Sequence, residues 1–256
     1  MTPLPEERGS KAEIEVSVDL NKVLEINEIG QIFHVSYVLS LQWYDPRLKY
    51  HNLKENVNLN VLSPSEKKSI WSPTLILDNT RSQEILVQDE KSTMKVITND
   101  SSRYTVADVT FLRNFHSYEG KENTLQLKRV LDTRFLCDYN MALYPFDTQS
   151  CSLDFVVTEE SNDFSKLKSG ILINSGPTEL TQYFIKKHFI SMEEIKGRSG
   201  VRVTVILGRR LLSNTLTVYL PTVLLNLIGH LTVYFKPYFF EVNMIIPKVI
   251  FIISFD

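Results

Sequence analysis

The chain has 256 residues, 43% of them hydrophobic and 23% charged, with a formal net charge of −2. That balance excludes a disordered chain, a collagen and a coiled coil, and its bulk charge gives no reason to expect a nucleic-acid partner. Two cysteines and nine glycines exclude a disulfide-dense mini-domain and a glycine-rich low-complexity chain.

The first ten residues, MTPLPEERGS, are polar, so no signal peptide is expected in them. From residue 13 to 209 apolar and polar residues alternate with period two, the mark of half-buried strands. Ile14, Val16, Val18 and Leu20 open the series. Phe33, Val35, Tyr37, Leu39, Leu41 and Trp43 form one face of a longer strand. Val57, Leu59 and Val61 alternate with asparagines and predict another. Tyr104, Val106 and residues 109–111 follow. Leu125, Leu127, Leu131, Phe135 and Cys137 share one phase, and Cys151, Leu153, Phe155 and Val157 share the next. Val201, Val203, Val205 and Leu207 close the series. About ten short strands predict an all-β sandwich, immunoglobulin-like in architecture.

Cys137 and Cys151 enclose 13 residues, DYNMALYPFDTQS. Both fall in the inward phase of their strands, and a bond between them closes a ring worth ~3 kcal/mol. The alternative is a pair of buried free thiols. A sheet-to-sheet bridge of the immunoglobulin type needs far wider spacing. Inside the ring, Tyr144-Pro145-Phe146-Asp147 predicts a tight turn, because an aromatic before proline favours a cis bond. Asn99-Asp100-Ser101 is an N-glycosylation tripeptide, a pattern common by chance.

Charge collapses at the C-terminal end. Beyond Arg210 only Lys236, Glu241, Lys248 and Asp256 are charged. Residues 211–235 form a run of 25 without charge, which as a helix at ~1.5 Å per residue exceeds the ~30 Å hydrocarbon core. Pro221 is tolerated in a spanning helix whose neighbours satisfy the freed carbonyl. A weaker apolar segment, 238–255, contains Glu241, Pro247 and Lys248. The expected domains are therefore 1–210, a β-sandwich, and 211–256, a membrane region with its first span at 211–235 and a partial second segment. No catalytic, phosphate-loop or dinucleotide motif is present, and the five histidines lack metal-ligand spacing, so no enzyme, cofactor or metal site is expected.

The 13-residue loop holding YPFD resembles the signature loop of the pentameric Cys-loop ligand-gated ion channels. Trp43-Tyr44-Asp45-Pro46-Arg47-Leu48 resembles the W-x-D-x-R-L segment of that family, and Ile70-Trp71-Ser72-Pro73 its W-x-P motif. Arg209 and Arg210 resemble its basic pair before the first span, and Pro221 matches the proline of that span. The resemblance implies an extracellular ligand-binding sandwich, a ring of this chain with four other subunits in the lipid of the plasma membrane, a postsynaptic membrane among the candidates, and a small neurotransmitter-like ligand held between neighbouring sandwiches. It implies no nucleic-acid partner. The competing reading is a membrane-anchored, non-conducting module that modulates full-length subunits.

The family's amine receptors hold a cation in a box of aromatics. Here four box positions lack one: Val38, Asp78, Thr158 and the capping loop at 192–199, which reads MEEIKGRS. The ligand-binding candidates are accordingly Val38, Ser40, Asp78, Arg129, Thr158, Glu159, Glu160 and Glu193, with Asp78, Glu159 and Glu160 as an acidic substitute for the box. The coupling candidates are Glu28, Tyr144, Pro145, Phe146, Asp147 and Arg210, with the two acids expected to converge on Arg210. The resemblance fades after Glu241 and Pro247 breaks the next segment. The sequence thus reads as truncated after its first span, by splicing or by an incomplete gene model, and on its own is expected to carry no current.

Overall fold

The computed structural model describes residues 11–51, 53–81, 84–86, 91–98, 104–108, 113–211, 216 and 219–232. Thirteen strands lie among the described residues, against the ten expected. They are β1 (Ala12–Asn27), β2 (Ile32–Trp43), β3 (Lys49–His51), β4 (Leu75–Leu77), β5 (Glu84–Leu86), β6 (Thr93–Ile97), β7 (Tyr104–Asp108), β8 (Arg113–Glu119), β9 (Thr124–Leu136), β10 (Thr148–Val157), β11 (Ser165–Asn174), β12 (Tyr183–Ile195) and β13 (Arg198–Arg209). Two helices accompany them, α1 (Pro64–Ser69) and α2 (Leu220–Thr232).

The strands form two five-stranded sheets, ordered β11-β1-β2-β9-β6 and β12-β13-β10-β4-β5, and a small third sheet, β3-β8-β7. Within the first sheet β1 pairs antiparallel with β2 but parallel with β11, with Ala12 opposite Ser165 and Leu20 opposite Asn174. The chain divides into two compact units: residues 1–139, 150–178 and 186–206, and residues 140–149, 179–185 and 207–256.

In the first unit the alternation read from sequence is the core. Ile14, Val16, Val18, Phe33, Val35, Tyr37 and Trp43 of one sheet are buried, as are Leu75, Leu77, Leu153, Phe155, Val201, Val203 and Val205 of the other. Each large apolar side chain removed from water contributes about 1.5–3 kcal/mol. Tyr37 meets Phe155 edge-on at 5.9 Å and Phe135 at 6.0 Å, so aromatics from both sheets interlock. The WYDPRL segment closes on itself. Asp45, almost fully buried, accepts from Arg47 Nε at 2.8 Å and Nη2 at 2.7 Å. Gly120 donates to Leu48 O at 2.9 Å, and a Cβ on it would sit 2.1 Å from Asp45 O, so only glycine fits there.

Two local expectations are corrected. Residues 57–59 are a 3₁₀ turn, not a strand, because the Asn56 side chain accepts from Asn58 N and caps it. Val61 keeps a single bridge to Lys95. The short helix α1 was not anticipated, although Ser63 and Glu66 form a capping box with Pro64 at the first turn. Asn99, residues 109–111 and the segment 238–255 lie outside the described residues. So does part of the expected span 211–235. Among the described residues no helix is long and apolar enough to cross a membrane.

Candidate functional site

Two groups of candidate residues are described, one in each unit. In the second unit they surround the loop between β9 and β10. Arg209 ends β13 and its side chain is only 3% exposed; that of Asp147 is 1% exposed. Arg209 Nε donates to Asp147 Oδ1 at 2.6 Å and Nη2 to Oδ2 at 2.9 Å, a two-pronged ion pair. Gln149 Nε2 donates to Asp147 Oδ2 at 2.5 Å and to Asn140 O at 2.9 Å, while Gln149 Oε1 accepts from Asn140 N at 2.9 Å. The glutamine thereby ties the two ends of the loop together. Arg209 also donates to the Tyr183 hydroxyl. Its guanidinium lies 4.8 Å from the Tyr144 ring centroid and 4.6 Å from that of Tyr183.

The loop base is therefore fixed, and its tip projects. Tyr144-Pro145 is cis, and Phe146 N donates to Leu143 O at 2.7 Å to close the turn. Leu143 and Phe146 are each 73% exposed and Tyr144 44%. Asp147 pairs with Arg209, one position before the Arg210 expected from sequence. Neighbouring side chains in a strand point to opposite faces, so only one of the two arginines faces the carboxylate. Arg210 instead donates to Leu180 O at 3.1 Å and pairs with Glu179 at 3.6 Å, while its backbone N donates to Gln182 O.

Burial alone would raise the Asp147 carboxyl. Hydrogen bonds from Arg209 and Gln149, with the Arg209 charge, overcome it and hold the group below its ordinary value of 3.8. A carboxylate depressed on folding stabilises the fold fully above its ordinary value, and loses that effect as pH falls through the depressed one. Acidification through the histidine range should leave the loop anchored. Only acidification below about pH 4 should release it. Hydrogen exchange at the Asn140 amide against pH checks this, and release near pH 6, where histidines titrate, would contradict it.

Within the first unit, Cys137 and Cys151 form a disulfide with Cα atoms 5.2 Å apart, and Cys137 N donates to Gln31 O at 3.0 Å. That bond holds β9 to the turn that carries Glu28. Tyr139 lies beside this turn, with its hydroxyl donating to Ile32 O at 3.0 Å. Burial, aided by the Glu28 charge, pushes the Tyr139 phenol well up.

A cleft of about 930 Å³ opens in the same unit between the 3₁₀ turn at Glu159–Ser161 and the β12–β13 hairpin. Trp71, Ile76, Ile85 and Phe164 supply apolar walls, with Trp71 edge-on to Trp43 at 6.2 Å and Phe164 at 6.4 Å. Thr158, Glu159 and Glu160 line one side, Lys196 and Arg198 the other. The hairpin turns in two residues, Lys196 at φ 52° and Gly197 at φ 76°, a geometry that glycine accepts without strain. Segment 192–199 is therefore mostly strand, with a tight tip in place of a loop. Lys196 Nζ at that tip donates to Asp78 Oδ1 at 2.9 Å, and Arg198 Nη2 lies 3.7 Å from the same oxygen.

Thr158, Glu159 and Glu160, consecutive in the chain, share one side of this cleft, whereas the Asp78 carboxylate is engaged by the cations of the hairpin. Glu193 does not line this cleft. It accepts from Arg202 Nη1 at 2.5 Å, and Arg202 also clamps Asp154 at 2.7 and 2.9 Å. The Asp154 hydrogen bonds lead in raising the Arg202 guanidinium above its ordinary value. Val38, Ser40 and Arg129 lie on β2 and β9 and do not line the cleft either. Ser40 is buried with no partner for its hydroxyl among the described residues, and Arg129 borders a void of about 20 Å³ beside Pro73 and Leu86. Lys196 and Arg198 were not singled out from sequence; the Lys-Gly pair between alternating strands was the available sign of a two-residue turn.

The neurotransmitter-gated ion-channel ligand binding domain matches residues 2–204 of the chain. The chain is similar to the glycine receptor subunit beta of Rattus norvegicus, 23% identical over 242 residues that cover 91% of this chain and 44% of that subunit. It is similar to ligand-gated ion channel 4 of Caenorhabditis briggsae, 24% identical over 231 residues, 90% of this chain and 30% of that protein. A proton-gated ion channel subunit of Caenorhabditis elegans is 21% identical over 240 residues, 94% of this chain and 46% of that subunit. The chain spans less than half the length of each of these relatives.

Proposed function

The chain belongs to the neurotransmitter-gated ion-channel ligand-binding domain family, and we propose that it acts as a subunit of an extracellular-ligand-gated ion channel. The observation that carries this reading is the loop at 140–149. Its base is locked by a buried ion pair, and its tip carries exposed Leu143 and Phe146. An exposed apolar tip costs nothing to keep where it rests on another surface, and a membrane layer of the same assembly provides one. Residues 211–235 supply the first span in this reading, with the sandwich outside the plasma membrane and four other subunits completing the ring.

The ligand is a small molecule held in the cleft beside Trp71, closed by Val38 of a neighbouring subunit. With Glu159 and Glu160 facing Lys196 and Arg198, and no aromatic box, an amine held purely by π faces is disfavoured. Glu28 and Arg210 complete the coupling layer with the loop. A chimera joining residues 1–210 to the pore-forming portion of a channel of this family should give ligand-gated current under voltage clamp. Pentamers that reach the surface and respond to no small ligand of a broad panel would overturn the proposal.

Two substitutions separate binding from gating. Lys196→Gln removes the tether on Asp78 and should shift the half-maximal ligand concentration by about tenfold, the scale of one charge-assisted contact. Arg210→Glu should lower the maximal open probability and leave ligand affinity nearly unchanged. Concentration–response curves for both variants, with radioligand binding alongside, decide the assignment. Equal shifts in the two variants would remove the distinction.

A further inference from the structure

We infer that the opposite side of the β12–β13 hairpin carries a second small-molecule site, one that takes a small organic carboxylate. Along the hairpin the residues alternate: Lys196 and Arg198 line the cleft described above, whereas Gly197 and Ser199 line a different cavity of about 510 Å³. Its volume lies in the range of small-ligand sites. One wall comes from β11, the turn before it and the residue before β1, with Lys11, Asn162, Lys166 and Leu167. The other comes from β12 and β13, with Met192, Glu193 and Glu194 beside the glycines. β11 and β12 are edge strands of the two large sheets, with β13 next in beside β12, so the cavity is an open seam of the sandwich.

The seam is held at its floor. Leu167 N donates to Ser199 Oγ at 2.9 Å, and Ser199 N donates to Asn162 Oδ1 at 3.1 Å. At its mouth, a Cβ on Gly197 would meet nothing within 4 Å, so the entrance is clear. The charges around it are not matched. Glu193 is committed to Arg202 at 2.5 Å, with Ser191 Oγ donating to its other oxygen. Lys11 Nζ donates to a neutral carbonyl, Asn162 O, at 2.5 Å. Lys166 has no carboxylate partner among the described residues. Two ammonium groups therefore border the cavity with no committed counter-ion, and exposed Glu194 is the carboxylate that opposes them. An anionic headgroup between Lys11 and Lys166 would gain charge-assisted hydrogen bonds, with its carbon stem against Leu167 and Met192. Because one hairpin separates the two cavities, a carboxylate here stiffens the strand pair that carries Lys196. The site does not depend on the proposed channel function.

Hydrogen–deuterium exchange of the full chain in detergent tests the inference, with succinate as probe. Sodium chloride at equal ionic strength and a diamine serve as controls. Succinate should slow exchange in peptides covering 163–168 and 192–200. Lys11→Gln with Lys166→Gln, both on exposed side chains, should weaken the apparent affinity at least about tenfold. Glu194→Gln should strengthen it. No protection by succinate would overturn the proposal. So would protection that survives in the double variant, equal protection by the diamine, or protection confined to 158–161.

Discussion

Arg209→Gln should cost about 3–5 kcal/mol of folding stability. The reason is burial. Asp147 and Arg209 are almost wholly withdrawn from water, and removing the arginine leaves a carboxylate with Gln149 as its remaining side-chain donor. Asp147→Asn should be nearly as severe, because it strands the guanidinium between Tyr144 and Tyr183. The double variant should be less unstable than the sum of the singles, since neither leftover charge then exists. Denaturant unfolding followed by tyrosine fluorescence measures all three. Strict additivity would mean that the two side chains do not share one interaction. In a channel assembly the same variants should fail to reach the surface, so stability must be read before any current is interpreted.

Replacing Cys137 or Cys151 by serine should cost about 2–5 kcal/mol. The ring limits the freedom of the unfolded chain across the same 13 residues that hold the apolar tip. Without it, the tip keeps the Asp147 cluster, while the end of β9 keeps its ladder with β2, Leu136 N on Asn79 O and Cys137 N on Gln31 O. Non-reducing peptide mapping should find the two cysteines linked in material from the secretory pathway. Two free thiols in properly folded protein would refute the bond. The serine variants should also lose surface expression at physiological temperature.

Much of this architecture was readable because it follows from side-chain alternation alone. Every inward residue of β2 from Phe33 to Trp43 is buried, as period two requires. The same rule misled at Val57, Leu59 and Val61, where a local bond from Asn56 outcompeted strand pairing, and Leu59 and Val61 remain exposed. Of the site, the paired cysteines and the turn at Tyr144-Pro145 were legible in short-range spacing, while an ion-pair role for Asp147 came from the family resemblance of its loop. Which arginine meets Asp147 was not, since two adjacent arginines differ only in the phase of β13 at its last residues. Nor was the tether of Lys196 to Asp78, which joins positions 118 apart and depends on how a tight hairpin folds back over β4. Long-range partners of this kind are set by packing, and a linear pattern does not encode them.

The parallel pairing of β1 with β11 has a consequence for how the chain comes into being. Lys11 and Asn162, beside the first rungs of that ladder, are 151 positions apart. On the ribosome, at ~5–20 residues per second, β1 therefore emerges many seconds before the strand that will cover its outer edge. Over that interval β1 and β2 can pair as a hairpin, but one row of backbone donors and acceptors stays bare. A nascent chain with such an edge is a substrate for holding chaperones and a template for mispairing with neighbouring copies on the same polysome. Closure over so long a loop is intrinsically slow. Folding yield should thus be governed less by the finished sandwich than by how long its first strand waits for its partner.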